Sequence, residues 1–138
     1  MRNVTYILAG VALAVFMGAG AHAEEDGANA IPDDQINSQK IYTGNPASFA
    51  NAAEVDFMEA VKATPQYKYI ERRGTERGTA EFWRMIEAAS TGAQKAVITV
   101  SEEEEYDLVT EKGYLAEVDE DIPVEDITQK VVSFIEEQ

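Results

Sequence analysis

Apolar positions recur at spacings of three and four residues through Phe82, Ile86, Ala89, Ala93, Ala96 or Val97, and Val100. That period marks an amphipathic helix, and its small residues predict close packing against a neighbour. The neighbour lies just upstream. Phe57, Met58 and Val61 share a helical face, Thr64-Pro65 fits an N-cap followed by proline at the first helical position, and Tyr67 and Ile70 continue the stripe. A kink or helix restart is expected at Thr64-Pro65. Gly74 and Gly78 mark a turn. The pattern predicts an antiparallel helical hairpin over about 57–101 with its tip near residues 74–79. Four consecutive acids, Glu102 to Glu105, oppose the dipole of its second helix and should end it there.

Strand-like runs are short. Lys40–Thr43 and Ala53–Asp56 are both candidates for the first strand. Tyr106–Val109 and Tyr114–Val118, joined across Thr110–Gly113, predict a β-hairpin over about 106–118 in which Gly113 takes the left-handed position. Asp119–Pro123 reads as an acidic loop. Asp126-Ile127-Thr128-Gln129 has capping-box spacing, and Ile127, Val131, Phe134 and Ile135 line a last helix over about 126–137. The expected fold is α+β: a small β-core of one strand plus a β-hairpin, a projecting helical hairpin, and a C-terminal helix.

The first 23 residues differ from the rest. Arg2 is their only charge, Val4 to Ala19 is almost wholly apolar, and Ala21-His22-Ala23 precedes Glu24-Glu25-Asp26. A charged start, an apolar run shorter than a membrane span and a small-x-small exit read as a secretory signal peptide cleaved after Ala23. Residues 24–38 are polar and aperiodic, so a flexible acidic leader is expected there. The folded domain is expected over 39–138, with no membrane span after cleavage and a periplasmic location.

The chain holds no cysteine, and its single histidine, His22, lies in the expected signal peptide. Disulfides, thiolate metal sites, cysteine nucleophiles and Ser–His–Asp chemistry are thereby excluded from the mature chain. A paired-carboxylate site is still chemically available, but acids are too abundant to signal one. A non-catalytic protein without cofactor or metal is expected. The formal net charge of −15 argues against nucleic acid as a partner. That charge is unevenly spread. Between Phe57 and Val97 seven basic residues outnumber five acids, and Arg72, Arg73 and Arg77 gather at the hairpin tip.

Tyr106-Asp107-Leu108-Val109-Thr110-Glu111-Lys112-Gly113 resembles the strand and turn of the OmpH/Skp family of periplasmic chaperones. Asp126-Ile127-Thr128 followed by Val131 is similar to that family's start of the last helix, and Val55-Asp56-Phe57 before Thr64-Pro65-Gln66-Tyr67-Lys68 to its first strand and helix. The resemblance spans roughly residues 53–135. It implies a homotrimer whose strands share a central barrel and whose helical arms surround unfolded outer-membrane or other exported proteins. Two features depart from the family: the arms are short, and the chain is acidic where better-known members are basic.

Two functions are expected from these features. One is a trimeric holdase gripping non-native chains through Tyr67, Tyr69, Phe82 and Trp83, with Leu108, Leu115 and Val118 in the oligomer core. Phe82 and Trp83 are neighbours on a helix, so they face different ways. The other is a structural adaptor of the cell envelope that docks one folded partner through Arg72, Arg73 and Arg77.

Overall fold

The computed structural model describes residues 29–138. The expected signal peptide therefore lies outside the described residues, as does the first part of the acidic leader. The fold is α+β. Four strands form one sheet: β1 (Ile41–Gly44), β2 (Ala52–Val55), β3 (Leu108–Glu111) and β4 (Val124–Asp126), in the order β1-β3-β2-β4. β1 is antiparallel to β3, whereas β2 runs parallel to both β3 and β4. Between β2 and β3 the chain forms α1 (Phe57–Ala63), α2 (Pro65–Arg73) and the long α3 (Ala80–Glu103); α4 (Tyr114–Val118) links β3 to β4, and α5 (Thr128–Glu136) follows.

Strand alternation divides the core in two. Ala53, Val55 and Val109 point to one face, where Ala60 and Val61 of α1, Ala89, Ala93, Ala96, Val97 and Val100 of α3, and Ile127, Val131 and Ile135 of α5 cover them. Their neighbours Ala52 and Leu108 point the other way, onto Ile31, Phe49, Tyr114, Leu115 and Ile122. Both sheet faces are thus covered within a single chain. Leu108 and Leu115 are fully buried, and Val118 packs on the second cluster. Leu108 and Leu115 need no partner subunit to leave water, which corrects the inference that their burial calls for oligomerisation; Val118 stays partly exposed.

Local chemistry explains the helix boundaries. Thr64 ends α1 and caps α2: its hydroxyl donates to the Val61 carbonyl at 2.6 Å and accepts from the Tyr67 amide at 3.3 Å. The expected restart at Thr64-Pro65 is therefore present. Gly74 closes α2 in the left-handed conformation (φ 60°), with the Thr75 amide donating back to Ile70 at 3.1 Å. Thr79 caps α3 by accepting from the Phe82 amide at 3.2 Å. The helical hairpin and its tip lie where the sequence places them. At the far end α3 stops at Glu103, and Glu105 occupies a left-handed position (φ 60°) that glycine more often fills.

Three further expectations are corrected. Tyr114–Val118 is not the second strand of a hairpin but the short helix α4, and β3 pairs instead with β1 and β2. The Glu117 amide donates to the Gly113 carbonyl at 3.2 Å and the Asp119 amide to the Leu115 carbonyl at 2.9 Å, the i to i−4 spacing of a helical turn. Gly113 keeps its left-handed φ of 88° but opens a helix, and its amide donates to Glu54 Oε2 at 2.9 Å.

The second correction concerns residues 29–38, which are packed rather than flexible. Ile31 is buried, Asn29 bridges to Phe49, and the Tyr114 hydroxyl donates to the Gln35 carbonyl at 2.7 Å while accepting from the Asn37 amide at 2.9 Å.

The third lies at the last helix. Asp126 does hold its start, but through Thr128: Asp126 Oδ1 accepts from the Thr128 amide at 2.9 Å and from its hydroxyl at 2.6 Å. Ile127, not Asp126, occupies the N-cap position, so the reciprocal bond from Gln129 does not form.

Candidate functional site

Among the described residues, no three His, Cys, Asp or Glu side chains cluster as a metal site. An apolar surface lies along the helical hairpin. There α1, α2 and α3 enclose an open groove of about 480 Å³. Val61 and Ile70, both nearly buried, form its floor. Phe57 and Met58 wall one end, and Tyr67 with Phe82 and Ile86 wall the sides. Thr75 and Arg77 of the tip turn close the other end, with Glu71 on the rim.

The groove exists because α2 and α3 diverge from the core. Every buried residue of α3 lies at or beyond Ala89, and α2 buries only Ile70. The apolar stripe keeps its period toward the tip but has less to pack against. Ile86 and Phe82 are left half-covered, and Met58 is 55% exposed. Trp83, the only tryptophan, is 60% exposed on the adjoining face and meets Phe82 edge-to-face at 5.2 Å between ring centroids.

The residues singled out in the sequence distribute over this arm unevenly. Tyr67 and Phe82 line the groove, whereas Tyr69 stands outside it, its hydroxyl donating to Glu81 Oε1 at 3.2 Å and its ring under the Arg73 guanidinium at 5.4 Å. Arg72, Arg73 and Arg77 are all exposed at the tip, and none of them forms a salt bridge among the described residues. Only Arg77 reaches the groove. Met58, Ile70 and Ile86 complete the groove without having been singled out. Their signal was the apolar stripe itself, which reads equally as a buried seam.

A separate, smaller hollow of about 240 Å³ shares Phe57 and Met58 in its wall and adds Asp56, Glu111 and Lys112. Phe57 stacks on Tyr42 with centroids 4.9 Å apart. Burial first, then the charges of Glu111 and Asp56, push the Tyr42 phenol up to about 12. Lys112 is engaged by Asp126 at 2.8 Å. Burial would raise the Asp126 carboxyl, but the hydrogen bonds from Lys112 and Thr128 outweigh it and hold the group at about 2. With Lys112 so occupied, the carboxylates dominate this hollow.

A scan against protein-family models, a search of curated proteins and a search of solved structures each find no match to the chain. Among the described residues, no helix is long and apolar enough to cross a membrane.

Proposed function

We propose that the protein is a non-catalytic binder of apolar chain segments, acting as a holdase for non-native exported proteins. The observation that carries this reading is the open apolar groove on the arm, bordered by the exposed Met58 and Trp83. Methionine and aromatic side chains suit a surface that accepts varied apolar sequences, because thioethers adapt in shape and rings offer large contact areas. The resemblance of residues 53–135 to periplasmic chaperones points the same way, and the signal-like residues 1–23 support a periplasmic location. A single arm of this kind offers a groove rather than a cage. Holding would thus be stoichiometric and weak per site, and a homotrimer would add strength by multivalency.

The test is suppression of aggregation of a urea-unfolded outer-membrane protein diluted into buffer with the mature chain. Light scattering should fall as the chain approaches equimolar amounts, and Ile86→Glu, which places a charge in the groove wall, should remove the effect while leaving the circular dichroism spectrum unchanged. No suppression at several-fold excess would end this reading.

An adaptor docking through the arginine tip is the second reading. It is favoured by three exposed guanidinium groups that lack ion-pair partners among the described residues. It predicts one saturable folded partner whose binding weakens with salt.

A further inference from the structure

Among the described residues, the exposed large apolar side chains are Met58 and Trp83, and both lie on the helical hairpin. Charge follows the same division. Residues 57–88 hold six basic and five acidic side chains, whereas residues 29–56 and 89–138 together hold four basic and eighteen acidic ones. The arm is thus close to neutral and the body strongly anionic. Two copies brought together body to body repel within a Debye length of about 10 Å; brought together arm to arm they do not. The sheet offers no better route. β4 follows Pro123 and carries Glu125 and Asp126 on its edge, which would set like charges opposite each other. β1 is four residues long and interrupted by a register shift, and its Tyr42 carbonyl already accepts from Gln94 Nε2 at 2.9 Å.

We propose that a second copy of this chain docks arm to arm, so that each copy covers the other's groove together with Met58 and Trp83. The tip arginines Arg72, Arg73 and Arg77 are matched in number by Glu71, Glu76 and Glu81, and all six side chains are exposed. Such a patch selects no partner of either sign, but it is complementary to itself when a two-fold axis sets arginine against glutamate. The face is small. α2 runs for about 13 Å, α1 adds a turn, and two adjacent helices span about 20 Å, so each copy covers about 400 Å². The total of about 800 Å² lies below the roughly 1,200–2,000 Å² of a stable complex, so the pairing is weak and reversible, with a Kd between about 10 µM and 1 mM. The inference does not rest on the holdase reading. It gives the same face a second occupant, with which non-native chains would compete.

The experiment is sedimentation equilibrium of the mature chain from about 5 µM to about 2 mM, a range that brackets the expected Kd. Front-face emission of Trp83, the only tryptophan, is read on the same samples. The mean mass should climb toward that of two copies, while the emission shifts to shorter wavelength and acrylamide quenching falls. Salt relieves the repulsion between the anionic bodies, so Kd should fall about three- to tenfold between about 20 mM and about 300 mM salt. Trp83→Lys and Met58→Lys, at exposed positions where the fold tolerates a charge, should each raise Kd about tenfold or more. A chain still monomeric at the top of the range overturns the inference, as does assembly into three copies or a dimer that neither substitution weakens. So does a mass that doubles while Trp83 emission stays fixed, or a Kd that rises with salt, which would set arginines of one copy against the acidic body of another. Aggregation suppression, scored at about 5 µM and so below the Kd, separates the two readings. Pairing without suppression keeps this inference and ends the holdase reading; suppression by a chain that never pairs does the reverse.

Discussion

Gly44 ends β1 opposite Leu108 of β3, at φ 101°, a backbone conformation that L residues rarely adopt. A Cβ placed there would lie 2.2 Å from the Asp107 carbonyl oxygen and 2.6 Å from the Leu108 Cα. Both are backbone atoms, so no side chain can rotate out of the way. Relief requires β1 to move away from β3 by about 1 Å. That movement weakens the β1–β3 ladder and disturbs Asp107, whose carboxylate oxygens accept from the Ala50 and Asn51 amides at 2.8 Å each. The left-handed conformation costs about 1–2 kcal/mol for alanine, and two weakened hydrogen bonds add about 1 kcal/mol each. Gly44→Ala should therefore destabilise the fold by about 3–4 kcal/mol.

Gly92 supplies the control within the same chain. It sits inside α3, and a Cβ there would meet only Thr64 Cγ2, at an ordinary 3.8 Å. Gly92→Ala should stabilise the protein by about 0.5–1 kcal/mol, because alanine gives up less backbone freedom in a helix. Thermal unfolding followed by circular dichroism separates the two. At roughly 4–5 °C per kcal/mol for a domain of this size, Gly44→Ala should lower Tm by about 12–20 °C and Gly92→Ala should raise it by a few degrees. A Gly44→Ala protein that melts with the wild type would show that β1 and β3 do not approach as described.

Two further substitutions test other local claims. Glu105→Gly should stabilise by about 1 kcal/mol in urea denaturation, since Glu105 holds a left-handed helix-terminal position (φ 60°) that glycine adopts without strain; a loss of stability would refute the assignment. For Asp126, the folded carboxyl is held at about 2, below its ordinary 3.8, so its stabilisation is complete above about pH 4 and lost as pH falls toward 2. Its side chain is 39% exposed, and solvent screening reduces the contribution to about 1 kcal/mol. Asp126→Asn should thus be less stable than wild type at pH 6 and equal to it near pH 2, and a gap that stays constant across that range would contradict the Lys112–Asp126 pairing.

Much of the arm was legible because its signals are local. The Thr64-Pro65 restart, the glycine-marked tip and the α3 seam each depend on residues within a turn or two of one another. The sheet was harder to read, because its pairing is non-local. β2 lies between β3 and β4, with long crossovers on either side, and nothing in three- or four-residue strands specifies a partner. Tyr114–Val118 is five residues long, too short to separate a period of two from one of 3.6. β4 was hidden among acids: Glu125 and Asp126 face water on an edge strand, leaving Val124 as its one apolar signal. Residues 29–38 looked disordered because Ile31 is their one buried side chain, and the rest of their hold comes from hydrogen bonds to the distant Phe49 and Tyr114. At the site, Tyr67, Phe82 and Arg77 were anticipated. The groove as a whole was not, because a stripe that stops being buried partway along a helix looks the same in sequence as one buried throughout.

That partial burial has a dynamic consequence. The body is held from both sides of the sheet, with Ala53, Val55, Val97, Val109 and Val131 fully inaccessible. The distal arm is held by Ile70 and by half-covered groove residues alone. Regions with few buried apolar contacts open at lower free energy than the core around them. Amides of about residues 68–85 should therefore exchange with solvent by local opening, while those of α3 beyond Ala93, β3 and α5 exchange only at the cost of global unfolding. An arm that opens independently can widen its groove for bulky segments without loosening the sheet, which suits a site that must accept unrelated sequences. Hydrogen exchange measured by NMR decides the matter. Uniform protection from Tyr67 to Val109 would mean that arm and body unfold as one unit, and the groove would then be a fixed slot rather than an adaptable one.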